Sequence, residues 1–110
     1  MGNKSDVLQG TLDLMVMKTL EAMGPQHGYG IAQRLLQVSD SALQLNQGTL
    51  YPALLRLEQR GWVASSIRTT ENNRTARYYA LTAAGRRQLE EHRRRWDRIS
   101  FAITSVLEGA

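Results

Sequence analysis

Leu89, His92, Trp96, Ile99, Ile103 and Val106 are spaced 3-4-3-4-3 near the end of a 110-residue chain. That spacing lays them along one seam of an α-helix, the pattern of a helix lying against another helix. Thr82 is a suitable N-cap, and the pattern predicts a helix running to about Leu107. About 25 residues of helix are about 37 Å long. That exceeds the width of a domain this small, so the C-terminal half is expected to overhang the body. An overhanging apolar seam needs a partner, and a second copy of the chain is the simplest one. Gly85 weakens only the first turn, by about 1 kcal/mol relative to alanine.

Leu8 to Met23 reads as the first helix, apolar at Leu8, Leu12, Met15, Val16, Leu20 and Met23. Leu14 and Met17 point elsewhere on the wheel, and a one-sided surface helix needs no second apolar face. Part of this helix is therefore expected to be covered by another chain. Gly24-Pro25 ends it. His27-Gly28-Tyr29-Gly30 reads as a turn into a second helix, about Tyr29 to Val38, with Ile31, Leu35 and Val38 facing the core. A third helix is predicted from Gln47 to Arg60, closed by Gly61. Leu50, Leu54 and Leu57 form its core face, and Thr49, Ala53, Arg56 and Arg60 the opposite one. Pro52 sits awkwardly inside it. Trp62 to Thr70 and Ala76 to Leu81 alternate like strands around the polar turn Glu71-Asn72-Asn73-Arg74, which predicts a β-hairpin with an arginine-bearing tip.

Charge is distributed unevenly along the chain. Eleven of the twelve arginines lie between Arg56 and Arg98, where only five acids accompany them; that window carries +6 and the remainder −2. A basic half points to a polyanionic partner, nucleic acid or a membrane surface. A solvated arginine-rich helix is the competing reading, and charge alone leaves the two level. The chain has no cysteine, which excludes a disulfide scaffold, thiol catalysis and cysteine-built zinc sites. No apolar stretch approaches the roughly 18 residues of a membrane span. Met1 to Asp6 lacks a signal-peptide core, so no membrane partner is expected and a cytoplasmic location is. His27 and His92 lie in different elements without Ser/Asp partners at motif spacing, no acidic or His cluster has metal-ligand spacing, and no Gly-rich phosphate loop follows a strand. No enzyme, cofactor or metal is expected.

The order helix, helix, helix, hairpin, long helix predicts an α+β, mainly α fold: a winged helix-turn-helix with a long C-terminal dimerisation helix. Residues 1–82 would form the DNA-binding part and 83–110 the dimerisation helix, in one compact domain. The major groove is about 12 Å wide and admits one helix; the Thr49/Ala53/Arg56 face is small and polar enough to enter. Arginine at the wing tip can meet phosphate or the minor groove. Two copies would read half-sites about 34 Å apart, or a multiple of that. The rival is a winged-helix protein-interaction module without DNA binding, whose third-helix face would be acidic or apolar.

Several runs, in this order and spacing, carry a resemblance. They are Leu12 to Leu20 with Gly24, His27-Gly28-Tyr29-Gly30-Ile31, Gly48-Thr49-Leu50-Tyr51-Pro52-Ala53-Leu54, Arg56-Leu57-Glu58, Gly61-Trp62-Val63, and Arg77-Tyr78-Tyr79-Ala80-Leu81-Thr82 with Gly85 and Trp96. Over about Leu8 to Leu107 the chain resembles the PadR family of bacterial transcriptional regulators. The family tolerates proline inside the third helix, which supports a start near Gln47. The resemblance implies a homodimeric repressor whose last helix packs on the partner's first. With a single helix after the wing, it is similar to the short subclass.

The expected contacts to a palindromic double-stranded operator are Tyr29, Gln47, Thr49, Tyr51, Arg56, Asn73, Arg74 and Arg77. Some small relatives bind flat aromatic compounds at the dimer centre, so the resemblance also implies an aromatic effector against Trp96, with His92 one turn away. Each residue has a plainer reading. The tyrosines could be ring packing, Arg56 and Arg60 solvated charges, Arg93 to Arg95 the back of the last helix, and Trp96 and His92 ordinary seam residues.

Overall fold

The computed structural model describes residues 4–69 and 71–109, with side chains from residue 10 onward. Four helices pack with a small sheet: α1 Lys4–Met23, β1 Gln26–His27, α2 Gly28–Val38, α3 Gln47–Gln59, β2 Val63–Thr69, β3 Thr75–Leu81 and α4 Ala83–Leu107. The fold is mainly helical, with a winged helix-turn-helix body and a long terminal helix. Leu8 and Thr70, both used in the sequence reading, lie outside the described side chains and residues respectively.

The last three helices each start where a side chain satisfies one of the first free N–H groups. His27 caps α2 through Nδ1, which accepts from Gly30 N at 2.9 Å. Asn46 caps α3, accepting from Thr49 N at 2.9 Å. Thr82 caps α4, accepting from Gly85 N at 3.0 Å. The His27 cap corrects the sequence reading of 27–30 as a turn: the helix already begins at Gly28. Gln26 and His27 also form a short strand that sequence pattern missed, because two residues carry no period. It pairs antiparallel with β3 at Tyr79 and Tyr78, giving the sheet order β1-β3-β2. The wing itself pairs from Val63↔Leu81 out to Thr69↔Thr75. Asn73, at φ 59°, turns the chain at its tip.

The core joins α1 (Leu12, Val16, Met17, Leu20) to α2 (Ile31, Leu35), α3 (Leu50, Ala53, Leu54, Leu57), Val63, Tyr79 and Leu89. Two expectations change here. Met17 is fully buried within its own chain, so it does not await a partner; among the described side chains of α1, Leu14 and Met15 remain half-covered and Met23 exposed. Ala53 is also fully buried, so the face of α3 expected to read DNA is rotated. Gly85, by contrast, is required by its place. It is buried in the first turn of α4, where a Cβ would run into the carbonyl oxygen of Trp62.

The long helix leaves the body. Leu89 is buried and His92 half-buried, but Trp96, Ile99, Ile103 and Val106 are 47%, 55%, 51% and 77% exposed. The molecule measures 57 × 29 × 25 Å, and the seam runs from the core out into solvent.

Candidate nucleic-acid interface

A helix advances 100° per residue, so the buried Leu50, Ala53, Leu54 and Leu57 fix which residues of α3 face away. The outward line is Gly48, Pro52, Leu55 and Gln59, all exposed. Thr49 flanks it on one side and Tyr51 on the other. Arg56 shares the Thr49 flank and is partly exposed, but its guanidinium is turned toward α1. Its Nη2 donates to Asp13 Oδ1 at 3.1 Å, and Arg60 lies 3.9 Å from the other carboxylate oxygen. Asp13 is buried on α1. Burial pushes its carboxyl above the ordinary value, against the pull of Arg56 and Arg60. The arginine is drawn inward because an unpaired buried carboxylate would be costly.

Beside Tyr51 the wing closes a cleft of about 440 Å³ lined by His27, Gly28, Tyr29, Tyr51 and, from the wing, residues Arg74 to Arg77. Four of the expected contact residues, Tyr29, Tyr51, Arg74 and Arg77, meet here. Tyr51 lies over Gly28, its hydroxyl 2.9 Å from where a Cβ would stand; the glycine is what lets the ring in. Tyr29 is exposed, and its hydroxyl accepts from Gln33 Nε2 at 2.7 Å. No acidic residue lines the cleft. The wing is tied to α3 by a short chain: Arg77 Nη1 donates to Ser65 Oγ at 3.0 Å, and that hydroxyl donates to Glu58 Oε2 at 2.5 Å. Gln47 opens on the other side of Tyr29, in a groove of about 610 Å³ between α2 and α3. Asn73 stands at the wing tip.

Sequence reasoning missed Arg68, whose guanidinium lies 5.5 Å over the Tyr78 ring on the exposed wing. The hairpin register, which sets Arg68 opposite Ala76, was the signal that could have found it. The ring of Tyr78 is also met edge-on by His27 at 5.3 Å, so one stack links the wing to the α2 cap.

Trp96 and His92 are not brought to one site. Trp96 lines a groove of about 520 Å³ with Leu14, Met15, Leu35 and Val38. His92 does not line that groove. It turns to Trp62, ring edge to face at 5.7 Å. Burial, followed by Arg95, holds its imidazole below the ordinary value. Among the described residues no group of three or more His, Cys, Asp or Glu could hold a metal ion. No described helix is long and apolar enough to cross a membrane.

The family model for the transcriptional regulator PadR-like family matches residues 16–91. A transcriptional regulator of Mycobacterium tuberculosis is 38% identical over 77 residues, covering 70% of this chain and 68% of that protein. Among solved structures, a transcriptional regulator from Clostridium thermocellum superposes with a TM-score of 0.81 at 26% identity, covering 91% of this chain and 96% of that one. A PadR family transcriptional regulator from Eggerthella lenta gives 0.77 at 28% identity, covering 96% and 88%.

Proposed function

The chain belongs to the PadR-like family of transcriptional regulators, which bind DNA and are generally dimeric and are not enzymes; from that premise we propose that it is a homodimeric, sequence-specific repressor of the cytoplasm that binds a palindromic double-stranded operator. The observation that carries this reading is the cleft where Tyr29, Tyr51, Arg74 and Arg77 converge beside the outward face of α3. Hydroxyl and guanidinium donors there suit phosphate oxygens, which take most protein–DNA hydrogen bonds and set register. Gln47 and Thr49, at the start of α3, would reach base edges or phosphate, and Asn73 would reach the backbone from the wing. Residues 1–82 do the reading in this account and 83–110 the pairing. The exposed Ile99, Ile103 and Val106 support the pairing, since a contiguous apolar patch on a helix marks an interface.

Repression follows if the bound dimer covers a promoter. Titration of the chain against its own upstream DNA across salt is the test. Log affinity is expected to fall linearly with log salt, by about 0.9 per phosphate neutralised. No binding at low salt would overturn the reading.

A second element of the proposal is relief by a flat aromatic effector. The half-exposed Trp96 over the groove with Leu14 and Met15 favours it. His92, one turn away, meets the Trp62 ring edge to face in the single chain, so Trp96 is the primary contact in this proposal. Quenching of tryptophan emission by an added aromatic compound, abolished in Trp96→Ala, is the expected result; quenching unchanged in that variant would remove Trp96 from the account.

A further inference from the structure

The outward line of α3 has an unusual composition for a helix meant to enter DNA. Gly48 offers no side chain, Pro52 neither donor nor acceptor on its ring, and Leu55 only hydrocarbon. Gln59, in the last turn, is the sole hydrogen-bonding side chain on that line. Leu55 is 55% exposed at the middle of it, with the Pro52 ring one turn before it on the same face. The polar and cationic groups, Tyr51, Arg74 and Arg77, stand to the side, in the cleft that contains no acid. The flank is thus complementary to phosphate while the centre is complementary to something apolar.

The one methyl group that a major groove offers is the 5-methyl of thymine; the other features that tell base pairs apart there are donors and acceptors, beside the smaller C5–H of cytosine. A donor or acceptor pressed against Leu55 would lose its water with nothing in return. Resting on the DNA-binding reading above, we propose that Leu55, with Pro52 beside it, is a specificity-determining residue that selects thymine at the centre of each half-site through its methyl group. The same contact disfavours a G·C pair there, by desolvating polar edges it cannot satisfy.

The test uses the full chain and a duplex recovered by selection from random DNA. Thymines in each half-site are replaced one at a time by deoxyuridine, which removes the methyl and keeps the pairing. Burying one such group is worth about fourfold in affinity. The native chain is expected to lose roughly that factor at one or two positions per half-site. Leu55→Ala, a change at an exposed site, is expected to bind the thymine and uracil duplexes equally, and Leu55→Met to keep the preference. Native binding that is sequence-specific yet indifferent to every uracil replacement overturns the proposal and leaves the DNA-binding reading standing. So does a Leu55→Ala variant that keeps the full preference for thymine. A chain that recovers no duplex at all overturns both.

Discussion

Asp13 and Arg56 are 43 residues apart in sequence and 3.1 Å apart in the fold. They bolt the first helix to the third. The Asp13 side chain is almost wholly buried and the Arg56 side chain about a quarter exposed. Burial outweighs the neighbouring arginines and raises the Asp13 carboxyl, so the pair is a demand of packing more than a source of stability. Its removal is asymmetric. Arg56→Met leaves a buried carboxylate whose remaining ion-pair partner is Arg60 at 3.9 Å. A loss of about 3 kcal/mol is expected, the low end for a broken buried pair because Arg56 is partly solvated. Asp13→Leu with Arg56→Met together should lose much less. Urea midpoints of the three variants check this. The salt slope of DNA binding should be the same in Arg56→Met as in the native chain, measured where both are folded, since Arg56 faces α1.

His92 makes folding sensitive to mildly acidic pH. Its folded-state pKa lies below the ordinary value near 6.5, because the ring is half-buried against Trp62, with Arg95 and Arg60 adding repulsion and Asp13 and Glu91 opposing. A depressed pKa means that the unfolded chain takes up the proton first. The stabilising contribution is therefore complete above about 6.5 and is lost as pH falls toward the folded-state value. Urea midpoints should drop between pH 7.5 and 5.5, and His92→Gln should flatten that drop. An equal drop in the variant would assign it to other groups.

Gly85→Ala separates two effects of opposite sign. Helix propensity alone favours alanine by about 1 kcal/mol. The added Cβ, however, would meet the backbone carbonyl of Trp62, which cannot swing aside. Overpacking of this kind costs typically 1–3 kcal/mol, and the carbonyl also accepts from Thr82 N at 3.0 Å. A lowered melting temperature is expected; a raised one would mean that α4 can shift away from the wing without penalty.

The same glycine illustrates what sequence can and cannot tell. Periodicity and capping residues located α3, α4 and the wing to within a residue or two, because local preferences there agree with the fold. Gly85 read only as a weak spot, since its reason is a neighbour 23 positions away at Trp62. Ala53 reads as part of the open face of α3 because a single helix does not reveal how wide its buried arc is. That arc is set by α1, α2 and β2 together, all packed against α3, which no pattern within α3 announces. Met17 was misassigned in the same way: α1 is enclosed by α2, α3 and α4 and so buries more than one stripe. Resemblance points to Tyr29, Tyr51, Arg74 and Arg77 one by one; that they share a cleft is visible only in the fold, where the β1–β3 pairing joins the start of α2 to the wing.

Arg77 should report on phosphate contact at the wing. Its tether to Ser65, and through it to Glu58, holds the guanidinium at the cleft. Arg77→Ala is expected to lower the magnitude of the salt slope by about 0.9 per protomer and to weaken binding to all sequences alike. Ser65→Ala keeps the charge but loosens its support, so affinity should fall with the slope nearly unchanged. If Arg77→Ala left both affinity and slope intact, the wing would not approach the backbone at that residue.

Ile103 tests the pairing of two chains. It is half-exposed on the overhanging part of α4, between Ile99 and Val106 on the same seam. Nothing in the single chain's core depends on it, so Ile103→Glu should scarcely move the stability of the monomer fold. A carboxylate in an apolar interface would instead lose its water without a partner. The native chain is expected to sediment as a dimer at micromolar concentration and the variant as a monomer with unchanged helical content. Affinity for the palindromic duplex should fall in the variant to that of a single reading head, with the salt slope roughly halved because half the phosphates are contacted. A variant that still sedimented as a dimer would place the interface elsewhere than the α4 seam.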